Sequence, residues 1–305
     1  MTQQKTMTTR AWIELLTLSL IWGGSFLSVE YTLRELSVLW SVAHRVIWAA
    51  LALWIYVLIG GLTIPRSVKT WAAFLGMGIL NNVLPFSLIT YGQVFIESGL
   101  ASILNGATAL FGVVLAAIAF RDERLTANKI AGVLLGFAGV SLAVGPSALS
   151  GFGFHAIGQI AVLGGALSYA LAGVFARKAL SGMSGPMAAA GMLTASSLII
   201  LPLAYVVDGP PKTDLAPATL IALVYYALFA TAFAYVLYYR VLAMAGSANL
   251  LLVTLFLPFV AIFLGALVLQ ERLAPTVFAG FGLITLGMIV LDGRLITWLR
   301  ARLSD

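Results

Sequence analysis

Residues 119–144, AFRDERLTANKIAGVLLGFAGVSLAV, are written a second time as residues 268–291, VLQERLAPTVFAGFGLITLGMIVL. Glu123, Arg124, Leu125, Ala131, Gly132, Leu135 and Gly139 recur 148 positions later as Glu271, Arg272, Leu273, Ala279, Gly280, Leu283 and Gly287. The match continues upstream, where Tyr91, Val94, Gly99 and Ala101 recur at an offset of 147 as Tyr238, Val241, Gly246 and Ala248. An offset near half of the 305 residues marks an internal duplication, with one half over 10–145 and the other over 155–292. Two such halves are expected to pack around a shared axis.

Working outward, the whole chain is apolar. It is 61% hydrophobic and only 9% charged, more apolar surface than a water-soluble globule hides. Runs of about 17 to 24 apolar residues, each able to cross a bilayer core of about 30 Å, recur along its length. Ten are expected: 12–29, 37–59, 71–92, 99–120, 128–144, 156–178, 187–207, 217–239, 247–269 and 275–291. The breaks carry turn and charge signals such as Gly60-Gly61, Gly145-Pro146 and Gly209-Pro210-Pro211. The first run is long enough to span and is followed by others, so it reads as a transmembrane helix and not as a cleaved leader.

Positive charge sets the orientation. Thirteen Lys and Arg residues, from Lys5 and Arg10 to Arg300 and Arg302, fall on one side, and Arg34, Lys212 and Arg272 on the other. The richer side is expected to be cytoplasmic, with both termini inside a bacterial inner membrane. The net charge of +6 is thereby explained by topology, without a nucleic-acid partner. Five runs per half is an odd number, so the second half is expected to cross in the opposite sense. The fold class is thus all-α integral membrane, ten helices in two inverted five-helix repeats around a central cavity, the plan of secondary transporters.

Several chemistries find no carrier. With zero cysteines there is no disulfide or thiol nucleophile. No Gly-rich phosphate loop with a following Lys-Ser or Lys-Thr is present, which removes ATP-driven transport within this chain. His44 and His155 stand without neighbours at metal-ligand spacing, so no metal and no cofactor is expected. No carboxylate lies in the middle of a run, so a proton relay would have to use His44, an end-of-helix acid such as Glu14, or give way to exchange of solutes.

Polar residues at membrane depth are the binding candidates. His44 and Arg45 sit inside the second run, where an ionised Arg costs about 3 kcal/mol. Arg45 either meets ligand or is buried against freed carbonyls or a carboxylate such as Glu30 or Glu35. Asn81 and Asn82 precede Pro85, whose missing N–H is expected to free the Asn81 carbonyl, as Pro258 frees that of Thr254 in the ninth run. Trp22 and Tyr169, 147 apart, put two aromatic rings at the midplane, with Ser25 and Ser168 beside them. Asn105 and Thr108 on the fourth run and Thr231 and Tyr235 on the eighth add hydrogen-bonding groups at similar depth. Tyr91, Tyr238, Tyr239, Trp71 and Trp298 lie near run ends and read as interface anchors. Gly132, Gly136 and Gly139, with Gly280 and Gly287, form small faces suited to scaffold or dimer seams.

The two quoted stretches, with SLIWGGSF over 19–26 and the His44-Arg45 pair, resemble the drug/metabolite transporter superfamily, and within it the ten-helix exporters. The likeness covers essentially residues 10–292, and the whole is similar to the bacterial aromatic amino-acid exporters of that group. The resemblance implies a basket of helices around a cavity formed chiefly by helices one, three, four, six, eight and nine. It implies amino acids or related metabolites as small-molecule substrates, multidrug export as the alternative, and a monomer or homodimer embedded in lipid. A membrane-embedded enzyme on lipid-linked substrate is the minor rival, for which no acid, His or metal cluster stands at a membrane surface.

Overall fold

The computed structural model describes residues 7–121, 123, 126–145, 153–250 and 252–292. Trp298 and Arg124 lie outside them. Among the described residues every regular element is helical. Eight helices are long and apolar enough to cross a membrane: α1 Thr9–Leu33, α2 Val38–Ile59, α3 Val68–Gln93, α4 Ser98–Ala119, α5 Ala127–Val144, α6 Phe154–Ala179, α7 Gly185–Asp208 and α8 Pro217–Gly246. Two shorter apolar helices follow, α9 Val253–Leu269 and α10 Pro275–Leu291. Large apolar side chains such as Ile59, Val206 and Phe263 point outward and are more than 60% exposed, which suits lipid as solvent and would not suit water.

Local chemistry sets the starts and stops. Thr8, Ser37 and Thr126 each turn a side-chain oxygen onto a first-turn N–H of α1, α2 and α5, satisfying donors that have no partner within the helix. Gly209 ends α7 at φ 78°, a left-handed conformation that a side chain resists. Three boundaries differ by four residues or more from the sequence reading, the first being α8, which runs to Gly246 and not to 239. α1 continues four residues past 29, which brings Glu30 inside its last turns. The ninth run does not begin cleanly at 247, because the chain bends at Gly246 (φ 80°) and the uninterrupted helix starts at Val253.

Three stretches widen into π turns: 79–83 in α3, 225–233 in α8 and 265–269 in α9. The first lies just before Pro85. In the wider register the Leu84 N–H reaches Ile79, so the carbonyl that loses a donor to Pro85 is Leu80, one residue before the expected Asn81. Ser168 of α6 supplies the replacement, its hydroxyl donating to Leu80 O at 2.7 Å.

Packing arranges the helices in pairs. α5 lies along α10 with almost nothing between the backbones: a Cβ on Gly132 would stand 2.5 Å from Gly287 O, and one on Gly139 would stand 2.6 Å from Gly280 O. These small faces therefore pair with each other within one chain, which fits the scaffold seam of the two alternatives and not a dimer seam. α2 pairs with α7, α3 with α6 and α1 with α9. One apolar core joins α2, α3 and α7 to part of α8, a second joins α4, α5, α6, α9 and α10, and a third joins α1 to α8.

Candidate functional site

Arg45 is 9% exposed, on the inward side of α2. Its Nε donates to Thr231 Oγ1 at 2.8 Å and its Nη1 to Tyr226 OH at 2.9 Å, both on α8. The guanidinium lies over the Phe86 ring at 3.4 Å from the centroid and over Tyr226 at 4.2 Å, cation–π contacts worth about 2 kcal/mol in a dry site. Tyr226 OH lies 3.5 Å from Thr90 Oγ1 of α3. Neither Glu30 nor Glu35 is its partner: Glu30 accepts from Gln93 at 3.4 Å, and Glu35 binds Lys212, Ala216 N–H and Thr219 in the connection beyond α1. Among the described residues no carboxylate pairs with Arg45.

Further along α8, Tyr235 joins a chain of hydrogen bonds. Asn81 Nδ2 donates to Tyr235 OH at 2.9 Å, Tyr235 OH donates to Asn82 Oδ1 at 2.9 Å, and Asn82 Nδ2 donates to Ser196 Oγ of α7 at 3.0 Å. Asn82 is wholly buried, so losing either partner would leave a bare polar group in an apolar interior. Tyr169 of α6 sits edge-on to Phe86, centroids 6.4 Å apart. Arg45, Asn81, Asn82, Tyr169 and Tyr235 are thus brought into one polar centre by α2, α3, α6, α7 and α8.

Four other candidates lie elsewhere. Trp22 packs between α1 and α8, donating from Nε1 to Ala230 O at 3.2 Å in the widened part of α8, with its ring 5.8 Å from Tyr238. Tyr238 is therefore a half-buried neighbour of Trp22. Ser25 closes on its own helix, donating to Trp22 O at 2.6 Å. Asn105 ends the first segment of α4 just before Gly106, and among the described residues its buried Oδ1 has no hydrogen-bond partner, nor has Thr108 Oγ1. His44 turns away from Arg45, because successive helical side chains diverge by about 100°. It faces a groove of about 610 Å³ between α2 and α7, lined also by Trp40, Trp48 and Tyr205, and its Nδ1 accepts from Trp48 Nε1 at 3.2 Å.

Sequence reasoning missed Tyr226, Phe86, Thr90 and Ser196. Phe86 and Thr90 are four apart on one face of α3, a spacing visible once Arg45 is known to face that helix. Tyr226 hides in the pair Tyr225-Tyr226, and only the structure separates them: Tyr226 turns to Arg45, while Tyr225 donates to Ile21 O at 2.9 Å.

A buried cation and amides inside a multi-helix apolar bundle mark a candidate functional site. The EamA-like transporter family matches residues 10–145 and again 156–291. The chain belongs to this family. The family lies within the drug/metabolite transporter superfamily, as the sequence resemblance implies. The chain is similar to the "Probable amino-acid metabolite efflux pump" of Escherichia coli, 25% identical over 279 residues that cover 88% of this chain and 90% of that one. It is also similar to the "Uncharacterized transporter YoaV" of Bacillus subtilis, 22% identical over 90% of this chain and 94% of the relative. A transporter of Archaeoglobus fulgidus is 26% identical over 92% and 98% respectively. A solved crystal structure superposes with a TM-score of 0.68 over 93% of this chain and 97% of its own, at 17% identity, which shows the shared fold. This EamA-family chain is a multi-pass membrane protein of a transporter family.

Proposed function

We propose that the chain exports small metabolites bearing a carboxylate, amino acids first among them, by alternating access around the Arg45 centre. One observation carries the reading: a buried Arg45 held by hydroxyls and ring faces, with no carboxylate partner among the described residues. An unpaired cation inside a membrane protein is costly, and a ligand carboxylate would supply the missing countercharge. The Asn81–Tyr235–Asn82 chain offers amide and hydroxyl groups to an amino group, and the Phe86, Tyr169 and Tyr226 rings suit an aromatic or aliphatic side chain. Similarity to a relative named as an amino-acid metabolite efflux pump supports the same class. Asn105, Trp22 and Ser25 belong to the rim of this pathway, and His44 to its lipid side. By the charge distribution, both termini face the cytoplasm of a bacterial inner membrane, ten helices cross it, and the halves are inverted.

Counterflow tests this. Liposomes holding purified protein are preloaded with an unlabelled amino acid and given the labelled one outside. Saturable uptake driven by the amino acid, and lost with the derivative whose carboxylate is replaced by an amide, is expected. Exchange indifferent to the carboxylate, or no exchange with any amino acid, overturns the assignment and points to multidrug export or other metabolites.

A further inference from the structure

Glu271, just past α9, reaches across to the start of α4. Its Oε1 accepts from Ser98 N–H at 2.8 Å and its Oε2 from Gly99 N–H at 3.1 Å, a charge-assisted cap supplied from 173 residues away. The carboxylate has room because one neighbour is a glycine: a methyl group on Gly265 would overlap Oε2. By the sequence repeat, Glu271 corresponds to Glu123, and Ser98-Gly99 correspond to Ala245-Gly246. Glu123 follows the opposite end of α4 from Ser98. Its carboxylate is held instead by Lys129 at 3.1 Å and Arg177 at 3.4 Å, and among the described residues it makes no bond to Ala245 or Gly246.

The backbones differ in the same sense. α3 stops at Gln93, and 94–97 is a turn leading into α4, whereas the repeat-related 241–244 is helical and the bend falls at Gly246. Packing follows: Ser98 to Leu104 are all buried, with the start of α4 against α9, while 111–117 at the other end of α4 are half-exposed on every face. The Glu271 contact to the start of α4 is made in this structure, and among the described residues its repeat-related contact from Glu123 is not.

We infer that Glu271 and Glu123 are alternating latches of the carrier, Glu271 holding the start of α4 in this state and Glu123 capturing the Ala245 and Gly246 N–H groups in the opposite one. In that second state 241–244 unwinds to the turn that 94–97 has here, Glu123 leaves Lys129 and Arg177, and Glu271 lets go of α4. The inference rests on the carrier reading for its purpose and on the repeat for its geometry. Each latch is two hydrogen bonds to one carboxylate, strong enough to bias a two-state equilibrium and weak enough to release.

The chain has no cysteine, so a single introduced one reports alone. Leu100→Cys, buried behind the closed latch, and Leu115→Cys, on the half-exposed end of α4, are labelled with a polar maleimide in purified protein, without substrate. Glu271→Gln is expected to speed labelling at position 100 about tenfold and slow it at 115. Gly265→Ala, which displaces the carboxylate without changing charge, should do the same and guards against a folding defect in the first variant. Glu123→Gln should act in reverse, slowing position 100 and speeding 115. The inference is overturned if Glu123→Gln leaves both rates unchanged or shifts them as Glu271→Gln does, or if neither Glu271→Gln nor Gly265→Ala exposes position 100. Labelling needs no transported solute, so failure of the latches and failure of amino-acid counterflow are told apart.

Discussion

Arg45 shows what one side chain can do in a dry setting. Its planar group lies between two rings while two of its N–H groups are fixed by Thr231 and Tyr226, leaving further donors for an incoming oxygen. Arg45→Lys keeps the charge but has neither the flat face nor the fork. The half-saturating concentration in counterflow is expected to rise at least about tenfold in that variant, with folded yield near the parent's. Depth and charge made Arg45 legible in the sequence. Its partners were not, because Thr231 and Tyr226 lie more than 180 residues away and only packing selects them. His44 shows the opposite failure: adjacency in sequence suggested one functional pair, and helical geometry sends its two members to different sides. Glu35 lies outside the spans. The Lys212 ammonium bonded to it, with Thr219 and the Ala216 N–H, holds its carboxyl down to about 2 from the usual 4.5. A carboxyl lowered on folding adds stability above its unfolded pKa and loses it as pH falls toward the folded one. The difference in melting temperature between the parent and Glu35→Gln should therefore be constant down to about pH 5 and vanish near pH 2.

At the scale of elements, the helices could be read from apolar length, and most ends fall within a few residues of the turn signals. What could not be read was the π register. Proline told where a hydrogen bond would be lost in α3, but the widened turn before it moved the orphaned oxygen from Asn81 to Leu80, and only the fold shows Ser168 arriving to meet it. Ser168→Ala is expected to lower stability in detergent by about 1–3 kcal/mol, the cost of a buried carbonyl left unbonded, read as a reduced melting temperature with unchanged helix content. The widened stretch of α8 is handled alike: Thr231 donates to Tyr226 O at 2.8 Å and Trp22 to Ala230 O. Two of the residues offered as ligand contacts by their depth, Trp22 and Ser25, thus satisfy backbone in this state. Polar groups at membrane depth serve either end, and sequence alone does not sort them.

Across the whole molecule the two ends are unlike. At the end near Glu35, Ser37 donates to Asp208, Trp40 to Gly209 O, and Lys212 and Glu271 tie further elements together. At the other end the ties are Glu14 with Arg10 and Arg240, and Glu123 with Lys129 and Arg177. The duplication was plain from offsets of 147 and 148, yet a repeat in sequence states only equivalence, and the interest of the fold lies in where equivalent segments depart from one another. One pairing admits no such departure. α5 and α10 touch along facing glycines, where a Cβ on Gly132, Gly139, Gly280 or Gly287 would run into the partner's backbone and only neighbours such as Ala143 and Ile284 fill the seam, so sliding or rolling would drive one helix into the other. In mechanical terms the pair is a single post, and any rearrangement of the bundle must swing past it or carry both helices as one.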